Sequence, residues 1–236
     1  MKVGLILAVI VALALGGSTV YFQHRDGKAR LRADSLAGAA DSLTDAYRAL
    51  AKRNVELAAA LDTQMAAASR QKEAEIAQLR TTYDTLVNAM KAEIAQGQVQ
   101  ITRLADRLSV SMVDKILFPS GEAGITLPGL RVLRRVGNVL KTTQGKIIRV
   151  EGHTDTVVIS SRLQGTFPTN WELSTARASN VVRFLQDSVG IDPERLQAVG
   201  LSQYHPVASN NTVRGRSQNR RIEIALLPME GPVRQQ

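Results

Sequence analysis

Residues 148–155 read Ile148-Arg149-Val150-Glu151-Gly152-His153-Thr154-Asp155. Apolar β-branched residues alternate with charged ones at the start of this stretch, the period of a half-buried strand. The apolar pattern then stops in a cluster of Gly, His, Thr and Asp. A strand over 146–151 that ends in an acid and a hydroxyl places polar groups at one edge of a sheet.

The neighbourhood supplies partners for that strand. Downstream, Asn170-Trp171-Glu172-Leu173-Ser174-Thr175-Ala176-Arg177-Ala178 reads as a helix start with Asn170 as N-cap. Its apolar face is Leu173, Ala176, Val181 and Leu185. Upstream, Leu130, Leu133, Val136 and Leu140 mark a second helical face, opened by Thr126 and Pro128. Further strands are expected at 109–118, with a short interruption, at 195–201 and at 221–227. A helical turn falls near 214–218. Strands alternating with helices imply an α/β sandwich, one sheet covered by helices.

Three ordered blocks resemble the OmpA/MotB C-terminal family. They are the Gly152-His153-Thr154-Asp155 turn, the Asn170-x-x-Leu173-Ser174-x-x-Arg177-Ala178 helix start, and Asn219-Arg220-Arg221 before the last strand. Ile116-Leu117-Phe118-Pro119-Ser120-Gly121 looks like that family's first strand and turn. The wording Asn170-Trp171-Glu172-Leu173-Ser174 and the long insertion from Asp155 to Asn170 look closer to MotB-type proteins than to porins. The resemblance implies an OmpA-like βαβαβ-type domain over 109–228 that binds peptidoglycan without cleaving it. The implied site residues are Asp155, Arg177, Thr154, Asn170 and Leu173, with Asn219 and Arg220 near them.

Those residue types suit the implied ligand. The side chain of a diaminopimelate-type stem peptide ends in an ammonium and a carboxylate close together. Asp155 would accept from the ammonium, and Arg177 would offer a planar fork to the carboxylate. The first-turn N–H groups of the helix, that of Leu173 included, would face the anion. Simpler roles stand beside these. Asp155 organises a turn, Arg177 is a solvated helix charge, and Arg220 and Arg221 pair with Glu223 or Glu151. His153 reads as structural and Trp171 as packing at the helix start. With His24 and His205 the only other histidines, no metal site is expected.

The 236-residue chain carries a net charge of +9 and no cysteine. The charge favours anionic partners. Nucleic acid is not among those expected, because the cations are scattered and few aromatics are available for stacking. Without cysteine there are no disulfides, thiolate metal sites or lipid-modified N-terminus. No acid pair or nucleophile–base spacing suggests an enzyme, and no cofactor is implied.

Residues 3–22 form an apolar run without charge, long enough for one transmembrane helix. A cleaved signal peptide is the competing reading. Arg25, Lys28, Arg30 and Arg32 follow the run, and the positive-inside rule alone would keep them in the cytoplasm. The wall-binding resemblance outweighs that rule and places the C-terminal domain in the periplasm of a single-pass inner-membrane protein. Residues 23–108 are expected to form a coiled-coil stalk that makes a homo-oligomer. Leu36, Leu43, Leu50 and Leu57 recur every seven residues. Ile76, Leu79, Tyr83, Leu86 and Met90 follow three- and four-residue steps, and Ile94, Ile101, Leu104 and Leu108 continue after a phase shift. Residues 229–236 are a tail. A MotB-like stator subunit, working with a polytopic membrane partner, is the alternative function. The span lacks the acid that ion conduction needs.

Overall fold

The computed structural model describes residues 2–104 and 107–229, with the side chains of residues 2–12, 14, 20 and 22 left outside the description. The chain divides into two compact units, Met1–Ser69 and Arg70–Gln236. Helix α1 (Lys2–Ala89) supplies the described part of the first unit and opens the second.

Between residues 33 and 69 the chain is rich in Ala and Leu, holds no proline, and the helix passes through Gly38. Leu36, Leu43, Leu50 and Leu57 are 58–72% exposed. This seven-residue stripe is left facing solvent. The expected transmembrane run at 3–22 is helical, and most of its side chains fall outside the described residues. Among the described residues no helix is long and apolar enough to cross a membrane.

The second unit is a mixed α/β domain. Helix α1 ends at Ala89 and a short helix α2 (Lys91–Ala95) follows. Strands β1 (Val99–Leu104) and β2 (Arg107–Val113) form a hairpin. Next come α3 (Asp114–Leu117), α4 (Leu127–Thr142), β3 (Lys146–His153), α5 (Asn170–Phe184), β4 (Leu196–Gly200), α6 (Val213–Asn219) and β5 (Arg221–Pro228). The sheet order is β1-β2-β5-β3-β4, antiparallel except for the parallel β3–β4 pair.

Two expectations about the stalk are corrected here. The helix does not continue to Leu108. It stops at Gln96–Gly97, where Gly97 takes φ +67°. The Gly97 N–H donates to Ile94 O and the Gln98 N–H to Glu93 O, both at 2.9 Å. This pair of reversed bonds closes a helix C-terminus and needs a left-handed residue that glycine adopts without strain. Ile101 and Leu104 therefore lie on β1, and Leu108 on β2.

Second, the stripe Leu79, Tyr83, Leu86 and Met90 packs within the second unit. Leu79, Leu86 and Met90 are at most 1% exposed and join the core of Val132, Leu133, Val136, Leu140 and Ile148. Polar contacts lock the same stretch. Lys146 pairs with Glu75, and Arg135 pairs with Glu93. Three- and four-residue steps serve a domain core as readily as a helix–helix seam.

The helices cover one face of the sheet. Ile148, Val150 and Gly152 of β3 point to that face, and α5 lies close over Gly152. A Cβ there would stand 2.2 Å from Ser174 O. Thr126 caps α4 by accepting from the Gly129 N–H at 3.1 Å, as the Thr126/Pro128 start predicts.

Candidate functional site

A cavity of about 880 Å³ opens at the C-terminal end of β3, between the start of α5, the β2–α4 connection and the loop 156–168. Asp155, Arg177, Thr154, Asn170, Leu173 and Arg220 all line it. Asn219 does not. It is fully buried, accepts from the Val207 and Ala208 N–H groups at 2.9 Å, and donates to Ala208 O and to Asn210 Oδ1. Asn219 holds the loop before α6, and in doing so fixes where Arg220 leaves it.

Two acid–guanidinium pairs stand in the cavity wall. Arg177, two turns into α5, places Nη1 3.0 Å from Asp114 Oδ1. Its Nε donates to Glu122 O at 2.8 Å, and its guanidinium carbon lies 5.0 Å from the Phe118 ring centroid. Nη2 has no protein partner among the described residues. Asp155 Oδ2 accepts from Arg220 Nη1, and Oδ1 accepts from the Val157 N–H at 3.0 Å. The strand ends bring the pairs together: the Asp114 N–H donates to Arg220 O at 3.0 Å, tying the end of β2 to the start of β5.

Burial governs the electrostatics of the inner pair. Asp114 is 8% exposed and Arg177 3%. Desolvation pushes the Asp114 carboxyl above its ordinary range, against the pull of Arg177 and Arg220, while the Asp155 charge adds to the rise. Desolvation likewise lowers Arg177, against the favourable charge of Asp114. Asp155 and Arg177 thus feel one another within one cavity, each already held by another partner.

The helix start differs from expectation by one residue, with consequences. Thr169, not Asn170, is the N-cap of α5. Its side chain accepts from the Trp171 N–H at 3.1 Å, and Glu172 reaches back to the Thr169 N–H at 2.8 Å. This is a capping box. Leu173 is consequently the fourth helical residue, the first whose N–H has a carbonyl behind it. It donates to Thr169 O at 3.4 Å and is not an open donor toward an anion. Leu173 offers the cavity an apolar side chain instead. Asn170 spends its amide on Asp155 O (3.2 Å), Val157 O (3.1 Å) and Gln203 Oε1 (2.9 Å). Thr154 donates its hydroxyl to Asp155 O at 3.1 Å. Both side chains hold the Asp155 backbone in place.

Several lining residues escape the sequence reading. Asp114 is the main one. It follows Leu108, Val110 and Met112 on the inward phase of β2, where an acid is out of character. Lys115 and Arg162 add charge, so the cavity carries four cationic and two acidic side chains. Trp171 is 46% exposed and lies against Tyr204, ring centroids 5.5 Å apart, outside the cavity. Arg221 pairs with Glu223 at 3.6 Å, one of the simpler roles considered for it.

Comparison with known proteins gives the same frame. The OmpA family pattern matches residues 117–220. Motility protein B of Bacillus subtilis is 31% identical over 157 residues, 66% of this chain and 59% of that protein. The chain thus spans about three-fifths of the length of that curated relative. A MotB-like protein from Desulfovibrio vulgaris superposes with a TM-score of 0.61 at 26% identity, covering 69% of this chain and 99% of that one. The cell wall anchor of the T6SS from Pseudomonas aeruginosa superposes with a TM-score of 0.54 at 32% identity, covering 61% and 97%.

Proposed function

We propose, from the match of residues 117–220 to the OmpA family, that the chain binds peptidoglycan without cleaving it and ties a membrane-anchored helix to the cell wall. The observation that carries this reading is the placement of Asp155 and Arg177 in the wall of one cavity. A relative described as a cell wall anchor supports the wall as partner.

The ligand in this reading is the zwitterionic end of a diaminopimelate-type stem peptide. Its ammonium approaches Asp155, displacing or sharing Arg220. Its carboxylate takes the Nη2 edge of Arg177, the edge without a protein partner. Asp114 and Glu122 O hold the rest of that guanidinium, so it is oriented before ligand arrives, and little ordering remains to be done on binding. Asn170 and Thr154 position Asp155. Leu173 and Phe118 supply apolar wall, and Arg220 is the mobile counter-ion. The excess of cations favours stem peptides with a further free carboxylate.

Placement follows from the ligand. The domain lies in the periplasm, residues 3–22 anchor it in the inner membrane, and the exposed leucine stripe of the first unit pairs with other copies. A MotB-like stator role is the second reading, favoured by the similarity to Motility protein B. It requires a polytopic partner to supply the ion-carrying acid that residues 3–22 lack.

Co-sedimentation with purified sacculi tests the reading. Asp155→Asn and Arg177→Lys keep size and, for the second, charge. Both should remain in the supernatant while circular dichroism stays that of wild type. Pelleting of both at the wild-type level would refute the assignment of the site.

A further inference from the structure

A second cluster of ionisable groups lies outside the wall-binding cavity. Glu151 and Glu223 face each other directly across the β3–β5 ladder. Like charges so paired destabilise a sheet unless something stands between them. Two residues along β3, on the same side of the strand, is His153. It is 3% exposed, and neither Nδ1 nor Nε2 has a hydrogen-bond partner. A histidine buried for packing normally satisfies at least one ring nitrogen. Its Nε2 is 3.8 Å from Glu151 Oε2, beyond hydrogen-bond reach.

The cations nearby do not fill the gap. Arg107 Nη2 stands 4.0 Å from Glu151 Oε1, and Arg221 Nη2 stands 3.6 Å from Glu223 Oε2. Neither distance is a hydrogen bond, so the two arginines compensate the acids by charge alone. One ligand atom from each of Glu151, His153 and Glu223 lies within 4.8 Å of the others. Tetrahedral zinc, with ligands at ~2.1 Å, sets them ~3.4 Å apart. Rotation of two carboxylate side chains closes that difference. The three groups border a cavity of about 340 Å³, which gives an ion and its waters a way in.

We propose that Glu151, His153 and Glu223 form a binding site for a divalent transition-metal ion of the zinc class, with water or His205 as a further ligand. One imidazole and two carboxylates suit such an ion. Magnesium and calcium prefer six or more oxygens. Arg107 and Arg221 act as the outer shell that orients the carboxylates. The ion would clamp β3 to β5 at the centre of the sheet.

Tag-free full-length protein, stripped with EDTA and dialysed against zinc chloride, should retain one zinc per chain by elemental analysis. Its melting temperature should rise with zinc concentration and not with magnesium. His153→Gln and Glu223→Gln should each weaken zinc binding by at least about tenfold. The imidazole NMR signals of His153 in the wild-type protein should shift on titration, a readout independent of the variants' folding. Absence of retained zinc, or unmoved His153 signals with zinc bound elsewhere, overturns the proposal.

Discussion

Arg177 and Asp114 form a buried ion pair, Nη1 to Oδ1 at 3.0 Å, in the wall of the cavity that also holds Asp155. The arginine proposed to grip ligand is thus also a structural group, and its removal strands an acid. Arg177→Ala should cost roughly 3–5 kcal/mol of unfolding free energy, the usual penalty for breaking a buried pair. Arg177→Lys should cost clearly less. Urea unfolding of the three proteins checks the order.

Asp114 should also impose a pH dependence. Its carboxyl titrates at the ordinary value of 3.8 in the unfolded chain and higher in the folded domain. Between those values the folded state binds more protons, so this residue's contribution to stability falls as pH rises through the window. Asp114→Asn removes that slope. Its unfolding free energy relative to wild type should therefore increase from pH 3.8 upward and then level off. Denaturant melts of both proteins across this range measure the difference, and a flat difference would contradict the buried placement.

The cationic excess of the cavity predicts ligand discrimination. Soluble stem peptides whose diaminopimelate carboxyl is amidated should bind at least about tenfold more weakly than the free acid, since a charge-assisted bond contributes about 1.5–3 kcal/mol. Isothermal titration with the two peptides separates them. Arg162→Glu should weaken the free acid more than the amide.

The two leucine stripes of helix α1 should respond differently. Leu86→Ala, at a fully buried position, should cost about 2–5 kcal/mol of the second unit's stability, measured in the full chain. Replacing Leu43, Leu50 and Leu57 together by Ala should leave that stability unchanged and remove the self-association proposed for the full chain. Calorimetry and analytical ultracentrifugation read the two effects separately.

Gly152 should resist enlargement. Its missing Cβ would meet Ser174 O at 2.2 Å, a backbone atom that moves only if α5 moves. Gly152→Ala should destabilise the domain by about 1–3 kcal/mol or more, measured by thermal unfolding.

Much of this architecture is written in local pattern. The alternation before Gly152, the Thr126-x-Pro128 start and the block from Asn170 to Ala178 each specify an element by short-range rules, and the elements form there. The errors fall where two rules coincide. Ile94, Ile101, Leu104 and Leu108 keep helical steps, yet Val99 and Ile101 also alternate as a strand does, and Gly97 decides between the two. Thr169 and Asn170 are both good caps, and Glu172 selects Thr169 by completing the box. Asp114 depends on a long-range meeting. Its partner Arg177 lies 63 residues away in sequence, so no local pattern pairs them.

Strand β5 lies in the middle of the sheet although it is the last element in chain order. During synthesis the β1–β2 hairpin and the β3–β4 pair have no strand to link them to each other until β5 emerges. The sheet therefore stays in two halves until its central strand is made, and any event that delays release of the C-terminal segment delays closure of the whole domain.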